Sequence, residues 1–300
     1  MDGVTAVLGL LPPAIEGASK LWRLVNEIRD APDEIRFIKA DLHAAIAVLD
    51  QMGKFCRGDD GRQLRKDDVG ILSDTIAACR ASCTEFQKLL DHWLRHSKDG
   101  RVFWADRLRL VVLEKGRIEA FQGRLARYRT TLTTILETAS VLKKWQQDSI
   151  PETTRNGMLE SYMQQLVDKI TQAIAAARDI DIKSRRVSET AIPKGTPGER
   201  QSFEKLKKDT QRELSALQGD NRRLQRACEE ALKRVESARA AQKIKDLNAS
   251  EDSAALAGYI NTGNNFRVDQ NISNAMANNK SLAVAGIANN FDINAFFGRR

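Results

Sequence analysis

Aromatic residues make up only 6% of this chain of 300 residues, while alanine, leucine, lysine, arginine and glutamate are abundant, the balance of a helical protein. No Walker loop, dinucleotide fingerprint, HExxH pair or Gly-flanked nucleophilic serine occurs, so neither a cofactor nor enzymatic activity is expected. The four cysteines show no framework spacing and no cationic stretch precedes the first apolar run, which reads as a reduced, cytosolic chain. Cys79 and Cys83, like His92 and His96, sit at i, i+4. The thirteen residues from Cys79 to His92 turn a single helix by roughly 220°, however, so the pairs point apart and no metal is expected. Long hydrophobic runs are missing too. The uncharged stretch Gly3 to Ile15 has thirteen residues, short of the roughly 20 that a spanning helix needs.

Apolar residues recur at helical spacing for most of the remaining length. Ile15, Ala18, Leu21, Trp22, Val25 and Ile28 continue the first pattern beyond Pro12 and Pro13, which are expected to interrupt it. A second helix follows Asp33 through Ile35, Ile38, Leu42, Ile46 and Leu49, and a third runs from about Val69 to His96. The fourth keeps one face from about Val102 to Trp145, crowded by Arg107, Arg109, Lys115, Arg117, Arg124, Arg127 and Arg129. Short loops between amphipathic helices imply an antiparallel bundle. Residues 1–150 are assigned to it, 151–190 to a further helix (Met158 to Asp181) and 191–199 to a Pro/Gly linker.

Residues 200–248 read as a coiled-coil-like helix. Leu214, Asn221, Cys228 and Val235 fall at one heptad position and Leu217, Leu224, Ala231 and Ala238 at the other. Pairing with a second chain through Leu214, Leu217, Asn221, Leu224 and Val235, and packing onto the bundle, both stand open. The net charge of +8 concentrates between Arg101 and Gln147. That suits anionic lipid headgroups; nucleic acid is the disfavoured partner.

The tail, residues 249–300, differs in kind. Between Gly258 and Gly298 it holds only four charges, Arg267, Asp269, Lys280 and Asp292, and is crowded with asparagine. Asn264, Asn265 and Phe266 match Asn289, Asn290 and Phe291 at an offset of 25, and strand periodicity continues in both copies. Stacking at that offset would place Arg267 over Asp292, with Phe266, Val268, Ile272, Phe291, Ile293 and Phe297 on one dry face. So short a unit leaves open edges, and another copy of itself is its natural stabiliser. A largely disordered, β-prone tail is the other reading.

The opening DGVTAVLGLLPPAIEGASKLWRLVNEIRDAP, the following EIRFIKADLHAAIAVLDQM and the later WADRLRLVVLEKGRIEAFQGRLARYRTTLTTIL resemble the fungal N-terminal helical domain of NOD-like receptors and HeLo-like cell-death proteins. The resemblance covers roughly residues 1 to 145. It implies an effector of fungal cell death and heterokaryon incompatibility, whose prion-forming C-terminal motif is templated into amyloid by a NOD-like receptor with a similar segment. It further implies that a cytoplasmic homo-oligomer then moves to the plasma membrane through its N-terminal segment, here Val4, Val7, Leu8, Leu10, Leu11 and Ile15. The expected fold is all-α: bundle, long helix and β-prone tail. A scaffold that self-associates through residues 200–248 is the alternative.

Overall fold

The structure, a computed structural model, describes residues 3–28, 33–93, 115–147, 149–190 and 197–240, and in the tail 242–245, 248–249, 254–260, 270–273, 276–278 and 282–288. Helix α1, Gly3–Glu27, is organised by one stripe: Val7, Leu11, Ala14, Ala18, Leu21 and Val25, spaced alternately four and three apart, are all buried. The helix lies against α2, Asp33–Arg57, and α3, Lys66–Trp93. Pro12 and Pro13 lie inside α1 and do not interrupt it, contrary to the sequence expectation. Their missing N–H groups would have served the carbonyls of Leu8 and Gly9. Both Gly9 and Pro12 are exposed, so water can satisfy the freed acceptors while the buried face stays intact.

Helix α2 repeats the pattern with Ile38, Leu42, Ala45, Leu49, Met52 and Cys56. A 3-10 turn, Asp59–Gln63, reverses the chain. Gly61 is required there, because a Cβ would stand 2.6 Å from the Cys56 carbonyl oxygen. Helix α3 starts with Asp68 accepting the Arg65 backbone N–H at 3.3 Å, and buries Leu72, Ile76, Cys79, Cys83, Phe86 and Leu90. Helix α4, Lys115–Trp145, closes this core with Ile118, Phe121, Leu125, Tyr128, Leu132 and Ile135; Phe121 stacks on Phe86 with ring centroids 4.1 Å apart. The part of the fourth pattern assigned to 102–114, including Arg107 and Arg109, lies outside the described residues.

Helices α5, Glu152–Glu189, and α6, Pro197–Ala240, pack chiefly against each other, and α6 also lies along α4 and α3. A second core joins Leu159, Tyr162 and Leu166 to Cys228, Ala231 and Val235. Helix α5 outruns the sequence estimate at both ends, from Glu152 to Glu189, and α6 begins three residues early at Pro197, a residue suited to a helix's first position. The body is thus the expected all-α bundle.

The tail carries strands. β1 (Gln242–Lys245), β2 (Asn248–Ala249) and β3 (Ala254–Ile260) pair in parallel with β4 (Gln270–Ser273), β5 (Met276–Ala277) and β6 (Leu282–Ala288), respectively. α6 therefore ends seven residues before Leu247, where the heptad had been extended, and the chain turns to strand at Gln242.

Candidate functional site

Three strand pairs in one register make two stacked turns of chain. Gln242 pairs with Gln270, Ile244 with Ile272, Ala249 with Ala277 and Gly258 with Gly286, a constant offset of 28. Within each turn the first strand returns beside the third, β1 near β3 and β4 near β6, so each turn is a coil and not a flat ribbon. The described strands follow this offset and not the expected 25, whose matching residues 264–266 and 289–291 lie outside the described residues. Ile272, expected on the dry face beside Phe266 and Val268, lies in β4 of the second turn, and the first turn begins where a helix had been expected. Register is selected over whole strands, since slipping misplaces every residue along them. The Asn-Asn-Phe match spans three residues, whereas offset 28 aligns identical residues at Gln242, Ile244, Ala249, Ser253, Ala255, Ala257, Gly258 and Asn261. That spaced identity was the missed signal. Of the expected dry-face residues only Ile272 is described, in β4; Phe266, Val268, Phe291, Ile293 and Phe297, with the Arg267–Asp292 pair, lie outside the described residues.

The coil follows α6 after a single residue, 241, so what holds α6 bears on the tail. Near its end Arg234 donates to Asp68 on α3 at 2.7 Å, with side chains only 10% and 6% exposed. At mid-length Asp220, whose side chain is fully buried, accepts from the Tyr128 hydroxyl at 3.0 Å, from Arg124 Nε at 3.1 Å and from Arg223. Burial pushes the Tyr128 phenol up, and the Asp220 charge adds to it. Without Arg124 and Arg223, burial would leave Asp220 a naked charge; their guanidiniums are what make its position tenable.

The coiled-coil residues are placed within the body. Asn221 Nδ2 donates to the Ala173 carbonyl on α5 at 2.6 Å, Val235 is buried in the second core and Leu224 packs against that core. Leu214 and Leu217 are half-buried on the same helix. The membrane-segment residues are likewise built into the bundle: Val7 and Leu11 are buried in the first core, and Val4, Leu8, Leu10 and Ile15 pack against that core. Among the described residues no helix is long and apolar enough to cross a membrane.

Cys79 and Cys83 are buried in the first core, whereas His92 is exposed on α3 and His96 lies outside the described residues. The Cys83 thiol is held well above its usual range by its hydrogen bond with Cys79 and by burial, and burial raises Cys56 and Cys228. A half-open cavity of about 300 Å³ between the 3-10 turn, α4 and α6 is lined by Phe55, Leu64, Leu142, Arg65, Arg234 and Ser237 among others.

A family model described as pigment biosynthesis cluster protein PigL N-terminal matches residues 2–205, which covers α1 to α5 and the start of α6. No curated protein and no solved structure matches the chain.

Proposed function

The chain belongs to the pigment biosynthesis cluster protein PigL N-terminal family, and from that helical body joined to a two-turn parallel coil we propose a fungal cell-death effector switched by tail templating. The observation that carries the reading is the offset of 28 between the two turns. A two-turn coil exposes unpaired strand edges above and below, and a further copy or a receptor segment of like pattern is the partner that pairs them.

The charges support stacking. In sequence, Lys243, Lys245, Asp246 and Glu251 align with Asn271, Ser273, Asn274 and Asn279, and Asp252 aligns with Lys280. Copies added head to tail at this offset never set like charges on neighbouring turns, a repulsion that would otherwise recur at every layer.

Each copy adds two turns, about 9.6 Å of stack at roughly 4.8 Å per strand. A single helix with its side chains is already about 10–12 Å across, and the body holds six among the described residues. With one residue between α6 and β1, successive bodies cannot all remain seated on the stack unchanged. Strain then falls on the end of α6 and on Arg234–Asp68. In this reading loosening of the body frees α1 for anionic lipid at the plasma membrane. Withdrawing Val7, Leu11, Leu21 and Val25 from the core costs on the order of 10 kcal/mol, comparable with a domain's whole stability, so α1 stays buried until assembly drives it out. The scaffold reading through 200–248 would need Asn221 and Val235, which α5 and the second core already occupy.

The test is to add preformed fibrils of a peptide spanning 242–288 to the full chain with anionic vesicles. Seeded conversion of the chain followed by leakage supports the reading. A chain that stays soluble beside those fibrils sinks it.

A further inference from the structure

The last turn of α5 reads Arg185-Arg186-Val187-Ser188-Glu189, and Ser188 is the one serine or threonine in the sequence with arginine both two and three residues before it. Its side chain is exposed, and the hydroxyl donates to the Ser184 carbonyl at 2.9 Å. Helix α6 lies alongside. Gln211 Nε2 donates to Ser188 Oγ at 3.1 Å, and Lys207 Nζ donates to the carbonyls of Ser188 at 2.6 Å and Thr190 at 2.9 Å. Within one turn of these contacts α5 gives Arg185 and Arg186 against Glu189, and α6 gives Lys205, Lys207 and Lys208 against Glu204 and Asp209. Asp181 already holds Arg185 at 2.7 Å, and Asp209 is shared between Arg117 and Arg212. A cationic surplus therefore surrounds an exposed serine hydroxyl.

We propose that Ser188 is phosphorylated by a basophilic serine kinase and that Lys207 and Gln211 hold the product. Two guanidiniums ahead of the hydroxyl fit a kinase cleft lined by carboxylates. In the transfer, Ser188 Oγ bonds to the γ-phosphorus of ATP as that phosphorus parts from the β-phosphate oxygen; ADP leaves, and the hydroxyl proton passes to the kinase's catalytic carboxylate. A kinase takes its substrate extended, and the place of Ser188 allows it. Helix α5 closes with the Thr190 N–H donating to the Arg186 carbonyl, and Pro193 and Gly195 follow in the sequence, so only one terminal turn has to open. Thr210 carries Lys207 and Lys208 at the same two positions but sits inside α6, where opening would break a helix in mid-course. Once attached, the phosphate brings close to two negative charges at neutral pH. The C-terminal dipole of α5, equivalent to about half a negative charge, and Glu189 oppose it. The full charge of Lys207, already within hydrogen-bond distance of the Ser188 carbonyl, outweighs them together with the Gln211 amide and Arg186. The modified serine therefore fastens the end of α5 to α6.

The full chain, incubated with magnesium, ATP and the catalytic subunit of cyclic-AMP-dependent protein kinase, is expected to gain one phosphate, located on Ser188 by mass spectrometry of its peptides. Ser188→Ala abolishes the incorporation. Arg185→Ala and Arg186→Ala each lower kcat/KM by about ten-fold or more, with the helical signal of the chain unchanged. Hydrogen exchange supplies the second readout: amides 184–190 exchange about three-fold or more slowly in the phosphorylated chain, and Lys207→Met removes that difference. No incorporation, incorporation that appears only after unfolding in urea, incorporation spread evenly over other hydroxyls, or a rate indifferent to both arginine changes overturns the site. A phosphorylated chain whose α5 terminus exchanges faster overturns the part given to Lys207 and Gln211. None of these readouts involves the tail, so failure of fibril seeding leaves them untouched and the two proposals fail separately.

Discussion

Arg234 reaches across 166 positions of sequence to place its guanidinium 2.7 Å from the Asp68 carboxylate, joining the last turns of α6 to the first turn of α3. Nearly all of both side chains is shielded from water. Removing one partner strands the other: Arg234→Ala is expected to cost about 3–5 kcal/mol, whereas replacing both by apolar residues of similar volume costs far less. Urea unfolding of the two variants measures the difference. Hydrogen exchange should lose protection first over 225–240, and under the proposed function Arg234→Ala also shortens the lag of seeded assembly. An unchanged lag would show that the α6 anchor does not gate the tail.

The offset of 28 makes a prediction that an offset of 25 does not. Ile244→Asp and Ile272→Asp put a carboxylate at equivalent positions of the two turns, since these residues pair. Both should abolish fibril formation to a similar degree while the helical signal of the body is retained. Were Gln242–Lys245 helical, Ile244→Asp would leave assembly intact. Thioflavin fluorescence and far-ultraviolet circular dichroism on the two variants decide it.

The body was readable because burial there follows one local rule. Val7 to Val25 in α1 and Ile38 to Cys56 in α2 repeat at helical spacing, and each apolar stripe faces a single core. Where a decision depended on a partner distant in sequence, the pattern ran out. Asn221 looks like a coiled-coil position, yet its amide is satisfied by the Ala173 carbonyl 48 residues away. Asp220 and Asp68 look like ordinary surface acids; only the fold reveals that Arg124 and Arg234 meet them inside. The Gln242 strand was hidden by its glutamine and lysines, which helices also favour, until pairing with Gln270 chose between the two forms.

Alkali should weaken the body through its tyrosines. Burial raises both Tyr128 and Tyr162 above the usual phenol range, with the Asp220 and Glu137 charges adding to it. The folded state thus keeps these protons after the unfolded chain has released its own at about pH 10. Their contribution is complete below that pH and is lost as pH rises above it. Tyr162→Phe removes one such group at the junction of α4 and α5, where the hydroxyl donates to the Thr134 carbonyl at 3.1 Å. The variant should be weaker by about 1 kcal/mol at neutral pH, from the lost hydrogen bond, and should show a shallower decline between pH 10 and 12. Urea midpoints across that range test both halves of the statement.

Pro12 and Pro13 bear on how firmly α1 is held. Each removes one hydrogen bond from the helix and crowds a carbonyl one turn earlier, and a proline inside a helix costs up to about 3 kcal/mol. Pro12 is exposed, so Pro12→Ala restores the bond to Leu8 without disturbing Val7, Leu11 or Ala14. The body should gain roughly 1–3 kcal/mol, read as a higher urea midpoint. Under the proposed function the gain falls on the helix that must leave the core, so the same variant should assemble at the wild-type rate and release vesicle contents more slowly. Leakage that keeps the wild-type rate in a demonstrably stabilised variant would mean that α1 stays in place and that lipid is met by another part of the body.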